Sequence, residues 1–434
     1  MTVYWAEYAW LPTGVAEAVT IDIAGASIRS VAVGTEKSGK VLRGLTVPGF
    51  ANAHSHAFHR ALRGRTQGGR GDFWTWREQM YRVAARLDPD SYYRLARGVY
   101  AEMVLAGYTS VGEFHYLHHA PGGVRYDDPN AMGAALVAAA EDAGIRLTVL
   151  DTCYLAGGFG RELNAEQLRF SDGDVGAWAE RAAGFKPEQE LVRTGVAAHS
   201  VRAVPTGALR VVAEQGAGRP THVHLSEQPA ENRDCLVAHG RTPTALLSEE
   251  GFLGPDTVAV HATHVTRPDI RLLAGTATRV CFCPTTERDL GDGIGPAREL
   301  ASAGVRLCLG SDSHAIVDGF EEWRALELDD RLAGHARGRF ALDELYGAAT
   351  AHGSIGWPEA GRIEGGAAAD LVTVDLESVR TVGAEPAAAL FAATASDIRE
   401  VFVAGRQIVS GGRHLLIPDT ESVLREEIRA LWQS

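Results

Sequence analysis

The chain has 434 residues, 45% of them hydrophobic and 22% charged, with a formal net charge of −13. This is the composition of a soluble globular protein, so disorder as the main state is excluded, and the length suits one large domain with a smaller appendage. A surface this acidic repels phosphate backbones and anionic lipid, so neither a nucleic acid nor a membrane is an expected partner; an anionic small molecule would need a local cluster of arginines.

The opening MTVYWAEYAWLPTG carries an acid and no basic stretch, so it does not read as a signal peptide, and no apolar run is long enough to span a bilayer. Five cysteines (153, 235, 281, 283 and 308) with no CxxC pair give no disulfide framework and suit a reducing, cytoplasmic location. Cys281 and Cys283 face one way in a strand-like run and read as buried apolar filler. Residues 3–46 alternate apolar and polar residues in short runs, and residues 362–411 do the same. Short antiparallel strands at each end need partners to bury a face. The two ends are therefore expected to form one small β-sandwich domain, residues 1–46 giving its N-terminal part and 353–434 its C-terminal part with a terminal helix, around an inserted domain over 47–352.

Between the ends, apolar β-branched runs alternate with helix-like stretches such as PDSYYRLARGVYAEMVLAG and PNAMGAALVAAAEDAG. Strands are expected at 45–56, 108–114, 145–155, 192–201, 220–228, 257–265, 278–286 and 305–314. Eight strands with helical crossovers predict an α/β fold, a (β/α)8 TIM-like barrel, better than an open sheet.

The first strand ends in AHSH. His54 and His56, two apart, point to one face, where both imidazoles can reach one cation. The fifth strand, THVHLSEQ, supplies His222, His224 and Glu227; the sixth, AVHATHV, His261 and His264; the eighth, LGSDSH, Asp312 and His314. Singly, each could be a satisfied polar residue. Four His/Asp clusters at one end of four strands are hard to explain as packing, because buried polar groups cost free energy unless paired. Nitrogen and carboxylate donors without thiolate favour Zn2+ or another first-row divalent ion. Such an ion with an open position lowers the pKa of a coordinated water to about 7, and a neighbouring carboxylate can then shuttle protons.

This pattern, HxH at strand one, HxxE at strand five, His at strand six and SD at strand eight, with GRIEGGAAADLVTVD near the end, resembles the amidohydrolase superfamily in its mononuclear deaminase branch. The resemblance implies that His54, His56, His224 and Asp312 hold one divalent metal ion per subunit, Zn2+ being the first candidate. It implies that Glu227 and His261 transfer protons or orient water and substrate, and that Asp312 also accepts a proton. His222 and His264 are left as supporting residues, and His118–His119 reads as loop surface. Lysine occurs only at 37, 40 and 186, and none follows the fourth strand, so a carbamate-bridged two-metal site is not expected.

The runs AHSHAFHRALRGR, DFWTWREQMYRVAARL, GYTSVGEFHYLHH and AAHSVRAV are similar to formimidoylglutamate deiminases of histidine degradation. A substrate with two carboxylates calls for arginine, which grips a carboxylate bidentately. Arg202, after the fourth strand, and Arg77 are the candidates; on spacing alone Arg77 would be a solvated helix residue. The resemblance adds Tyr116 and His199, and His59 where the family frequently has Gln. It also implies a homodimer. The open alternatives are another deaminase of the same branch, acting on a neutral heterocycle of guanine, cytosine or s-triazine type, and a non-catalytic metal-binding barrel.

Overall fold

The computed structural model describes residues 2–68 and 73–433. Met1, residues 69–72 and Ser434 lie outside the described residues, and with them the outermost positions of the expected domains and Asp72 of the DFWTWRE run.

The chain opens with four strands, β1 (Thr2–Leu11), β2 (Gly14–Ala24), β3 (Ser27–Ala32) and β4 (Lys40–Pro48). Eight follow in the middle of the chain: β5 (Phe50–Ser55), β6 (Tyr108–His115), β7 (Arg146–Cys153), β8 (Val192–Ala198), β9 (Thr221–Leu225), β10 (Thr257–His261), β11 (Arg279–Phe282) and β12 (Leu307–Leu309). Four close the set: β13 (Leu371–Val374), β14 (Ile398–Val403), β15 (Arg406–Ser410) and β16 (Arg413–His414). Among the described residues they form two eight-stranded sheets, β5 to β12 in sequence order and β16-β15-β14-β13-β4-β1-β2-β3.

The first is the parallel barrel. Its strands β5, β6, β7, β9 and β10 are buried at every residue, as expected when helices cover the outside and side chains fill the inside. Closure joins β5 to β12: Asp312 N donates to His54 O at 3.0 Å and His56 N to Asp312 O at 3.2 Å. Gly310 permits this approach, since a Cβ there would lie 2.7 Å from His54 Cβ. The helices obey local rules. Pro89–Leu105 starts with Asp88 accepting from Ser91 N at 2.8 Å and with Pro89 in its first turn. Ala131–Ala143 stops at Gly144, whose φ of +70° few other residues adopt.

The second sheet takes strands from both ends of the chain, and β4 pairs antiparallel with β13, Val47 opposite Val372. In β2, Val19, Ile21 and Ile23 are buried at alternate positions, the period-two pattern of a strand with one covered face. The run LTVPGFANAHSH does not form the single strand expected over 45–56. Residues up to Pro48 belong to the terminal sheet and those from Phe50 to the barrel, with Gly49 between them. A buried bidentate pair, Arg146 Nε to Asp370 Oδ2 at 2.7 Å and Nη2 to Oδ1 at 3.1 Å, ties the start of β7 to the start of β13. The last helix, Thr420–Gln433, lies on the barrel helix Pro89–Leu105 through Arg94–Glu427 (2.8 Å), and Trp432 Nε1 donates to Ala61 O. All five cysteines are buried, and Cys281, Cys283 and Cys308 pack with Ala53, Val258 and Val260 inside the barrel.

Candidate metal centre and substrate chamber

The histidines and acids singled out on the strands fall at the C-terminal rim of the barrel, where barrel loops build functional sites, except His222, which sits at the start of β9. The backbone there is unusual. Ser226, His261, Ala262, Asp312 and His314 all have positive φ, from +42° to +71°. Side chains other than glycine rarely occupy this region, and such strain concentrates where a chain must aim functional groups.

Four donor atoms converge. His54 Nε2 lies 3.1 Å from His56 Nε2 and 3.1 Å from His224 Nε2. Asp312 Oδ1 lies 3.3 Å from His54 Nε2 and 3.2 Å from His56 Nε2. A tetrahedral ion with bonds of about 2.0–2.1 Å needs its ligands about 3.3 Å apart, so these spacings fit a metal of zinc size. The imidazoles are oriented from behind: His56 Nδ1 donates to Phe114 O at 3.0 Å and His224 Nδ1 to His199 O at 2.9 Å, leaving each Nε2 for the centre. His54 Nδ1 has no such partner. Burial holds the His54 imidazole down to about 3 and the His224 imidazole well below its ordinary value, so both are neutral donors. Burial would raise Asp312, but His54 and His56 beside it hold it well below the usual carboxylate range.

His261 stands next to this group. The donor atoms of His54, His224, His261 and Asp312 lie within 4.8 Å of one another, as do those of His56, His59 and Asp312. His261 Nε2 is 3.8 Å from Glu227 Oε1 and 4.0 Å from Asp312 Oδ2, while its Nδ1 faces Glu287 Oε1 at 3.3 Å. Burial opposes its charged form, but Glu227, Glu287 and Asp312 outweigh burial and push it up to about 10. Burial also raises the Glu227 carboxyl.

The substrate-contact candidates line one chamber with these groups: His59, Arg77, Tyr116, His199 and Arg202 together with His56, His224, Glu227, His261 and Asp312. Arg77 is half-buried on the helix Phe73–Ala84, its guanidinium over the rings of Trp74 (4.5 Å) and Tyr81 (5.7 Å); it is not the solvated residue that spacing alone suggests. The Tyr116 hydroxyl meets His59 Nε2 at 2.9 Å, and His59 Nδ1 has no partner. Burial holds His59 well below its ordinary value, and burial together with Arg202 does the same to His199.

Some residues were not found by sequence reasoning. Glu113, fully buried, accepts from Ser55 Oγ at 2.7 Å and Ala57 N at 2.6 Å, and so clamps the turn that carries His54 and His56. Its signal was an acid inside an apolar strand, SVGEF. Glu287, which faces His261, and Trp76, Met80, Tyr81, Tyr154, Phe170 and Leu290 of the chamber wall carried no pattern of their own. His118 and His119 correct the surface reading: each is 1% exposed, His118 Nε2 donating to Thr152 O at 2.9 Å and His119 Nε2 facing Asp172 at 3.1 Å. Two adjacent histidines in a short link between strand and loop show no period that separates a buried from an exposed pair. His222 bonds Ser354 O and His264 bonds Asp292 O, which leaves both supporting the scaffold.

The amidohydrolase-family profile matches residues 45–408. The formimidoylglutamate deiminase of Pseudomonas aeruginosa is 38% identical over 440 residues, covering 95% of this chain and 96% of that one. Among solved structures, an amidohydrolase from Brucella melitensis superposes with a TM-score of 0.90 at 34% identity, covering 99% of this chain and 100% of the other. An atrazine chlorohydrolase from Arthrobacter aurescens, complexed with zinc and atraton, superposes at 0.88 and 24% identity over 99% and 100%.

Proposed function

The chain belongs to the amidohydrolase family, and on that premise we propose that it is a metal-dependent hydrolase of C–N bonds in amidines, converting N-formimidoyl-L-glutamate to N-formyl-L-glutamate and ammonia. The observation that carries this reading is the placement of Arg77 and Arg202 in the same chamber as the His/Asp centre. A dicarboxylate with a cationic formamidine needs both features, and a neutral heterocycle needs only the second. The likeness to the Pseudomonas deiminase supports the same substrate.

His54, His56, His224 and Asp312 would hold one divalent ion per subunit, and nitrogen and carboxylate donors, three of them within 3.1–3.3 Å of His54, favour zinc, the ion in the structurally similar chlorohydrolase. Such an ion supplies a water with a pKa of about 7 as the nucleophile. The residues around it supply the rest. Asp312 Oδ2, turned toward His261, accepts the proton of the water as it adds to the formimidoyl carbon. Glu227, whose carboxyl burial keeps protonated more readily, passes a proton to the nitrogen that leaves as ammonia. His261, held by Glu287, donates toward the oxygen on which charge develops. Arg77, Arg202, Tyr116, His199 and His59 orient the two carboxylates, and the aromatic wall of Trp76, Tyr154 and Phe170 limits bulk water. His59 in place of the family's frequent Gln leaves a neutral imidazole that can donate one hydrogen bond to a carboxylate.

No helix of the described residues is long and apolar enough to cross a membrane. A cytoplasmic homodimer in histidine degradation completes the proposal. Ammonia release by zinc-loaded enzyme from N-formimidoyl-L-glutamate, measured beside guanine and cytosine, tests it. Turnover of the heterocycles in preference to the formamidine would overturn the substrate assignment.

A further inference from the structure

The catalytic chamber is small, about 50 Å3, and shares Arg77, Arg202 and Glu227 with an outer chamber of about 330 Å3. The outer chamber is lined by Arg161 and by residues of the helix Pro229–His239, among them Glu231 and Asp234. Glu231 and Asp234, three positions apart on this helix, put carboxylates on one side of the outer chamber, beside Glu227, which both chambers share.

Glu231 stands out among them. It is 6% exposed, and its Oε1 has no hydrogen-bond partner. A buried carboxylate oxygen without a donor is costly, and the nearby Arg202 charge offsets only part of that cost. The Glu231 side chain lines the outer chamber, where its carboxylate would pair with an incoming cationic N–H group, while Arg77, Arg161 and Arg202 in the same chamber offer partners for carboxylates.

We propose that the outer chamber is a staging site for an amphoteric ligand, in which Glu231 takes the cationic amidinium end and the arginines take the carboxylates. The proposal rests on the substrate reading above and adds a selection step to it. Hydrolysis turns the cationic formamidinium into a neutral formamide, so Glu231 holds the substrate and has no charge to hold in the product. Selection by charge at the entrance then favours substrate entry over product return, without any contact to the reacting carbon.

The test is the Glu231→Gln variant, with kcat and KM for N-formimidoyl-L-glutamate and the competitive Ki of N-formyl-L-glutamate measured side by side with wild type. Loss of one charge-assisted contact is expected to raise KM about tenfold, with the Ki of the neutral-ended product within about twofold of wild type. Glu231→Asp, which keeps the charge, should recover most of the loss, and matching thermal melts will show that both variants fold. Equal weakening of substrate and product would mean that Glu231 only positions Arg202, and an unchanged KM would mean that it touches no ligand; either result overturns the proposal. A wild-type enzyme that releases no ammonia from N-formimidoyl-L-glutamate overturns the substrate reading first, and the staging proposal with it.

Discussion

Replacing Arg202 by alanine probes the substrate reading most directly. Arg202 is half-buried at the boundary of the two chambers, and Glu231, Tyr154 and Glu227 are the acidic groups that stabilise its charge. A hydrogen bond to a charged partner is worth about 1.5–3 kcal/mol, which at 1.36 kcal/mol per decade is about a 10- to 160-fold loss of kcat/KM. Two features place the expected result at the upper end. Arginine grips a carboxylate with two parallel bonds, and its removal takes the main counter-charge from Glu231 and a secondary one from Glu227, which disfavours an anionic substrate further. The assay is steady-state ammonia release with kcat and KM resolved separately, together with metal content, which Arg202 does not contact and should not change. A variant that keeps kcat/KM within about threefold of wild type at full metal content would refute the assignment of Arg202 to the substrate.

Asp312→Ala and His56→Ala should each abolish measurable turnover and lower bound metal per subunit in elemental analysis, since each removes a donor that lies 3.1–3.3 Å from His54. Chelation should lower the melting temperature; a site held at about 100 times its Kd contributes about 2.7 kcal/mol, and restored zinc should return it. Gly310→Ala forces a Cβ to 2.7 Å from His54, so it should destabilise the fold by about 1–3 kcal/mol and weaken metal retention by prising β12 from β5. His118 gives a pH prediction. Burial lowers it from 6.5 to about 4 in the folded state, so the unfolded chain binds the extra proton between those values. Stability is therefore full above pH 6.5 and falls as pH drops through that window, by about 3 kcal/mol at most. In denaturant titrations His118→Gln, which can still donate to Thr152 O, should flatten that decline; an unchanged slope would assign acid sensitivity to other groups.

Much of the site was legible because its chemistry is written in residue types at fixed offsets. His54 and His56 must share a strand face whatever the fold, and the absence of lysine after Ala198 needs no coordinates. The barrel was legible in the alternation of strand-like and helix-like runs. The run from 45 to 56 was not, because two strands on either side of Gly49 share one apolar character and differ only in which sheet receives them. Glu113 and Glu287 were missed for a related reason: each acts on a histidine or its turn from another strand or helix, and no spacing along the chain encodes that meeting.

The sequence by itself determined the kind of donors, their location at strand ends and the shortage of lysine, because side-chain chemistry and the two-residue period of a strand are local properties. Tertiary structure alone decided that His54 lies 3.1–3.3 Å from the other three donors, that Arg77 faces the chamber, that His118 and His119 are buried, and that Glu231 Oε1 lacks a partner. Closing β5 against β12 brings residues more than 250 positions apart into contact, and burial and convergence follow from that closure.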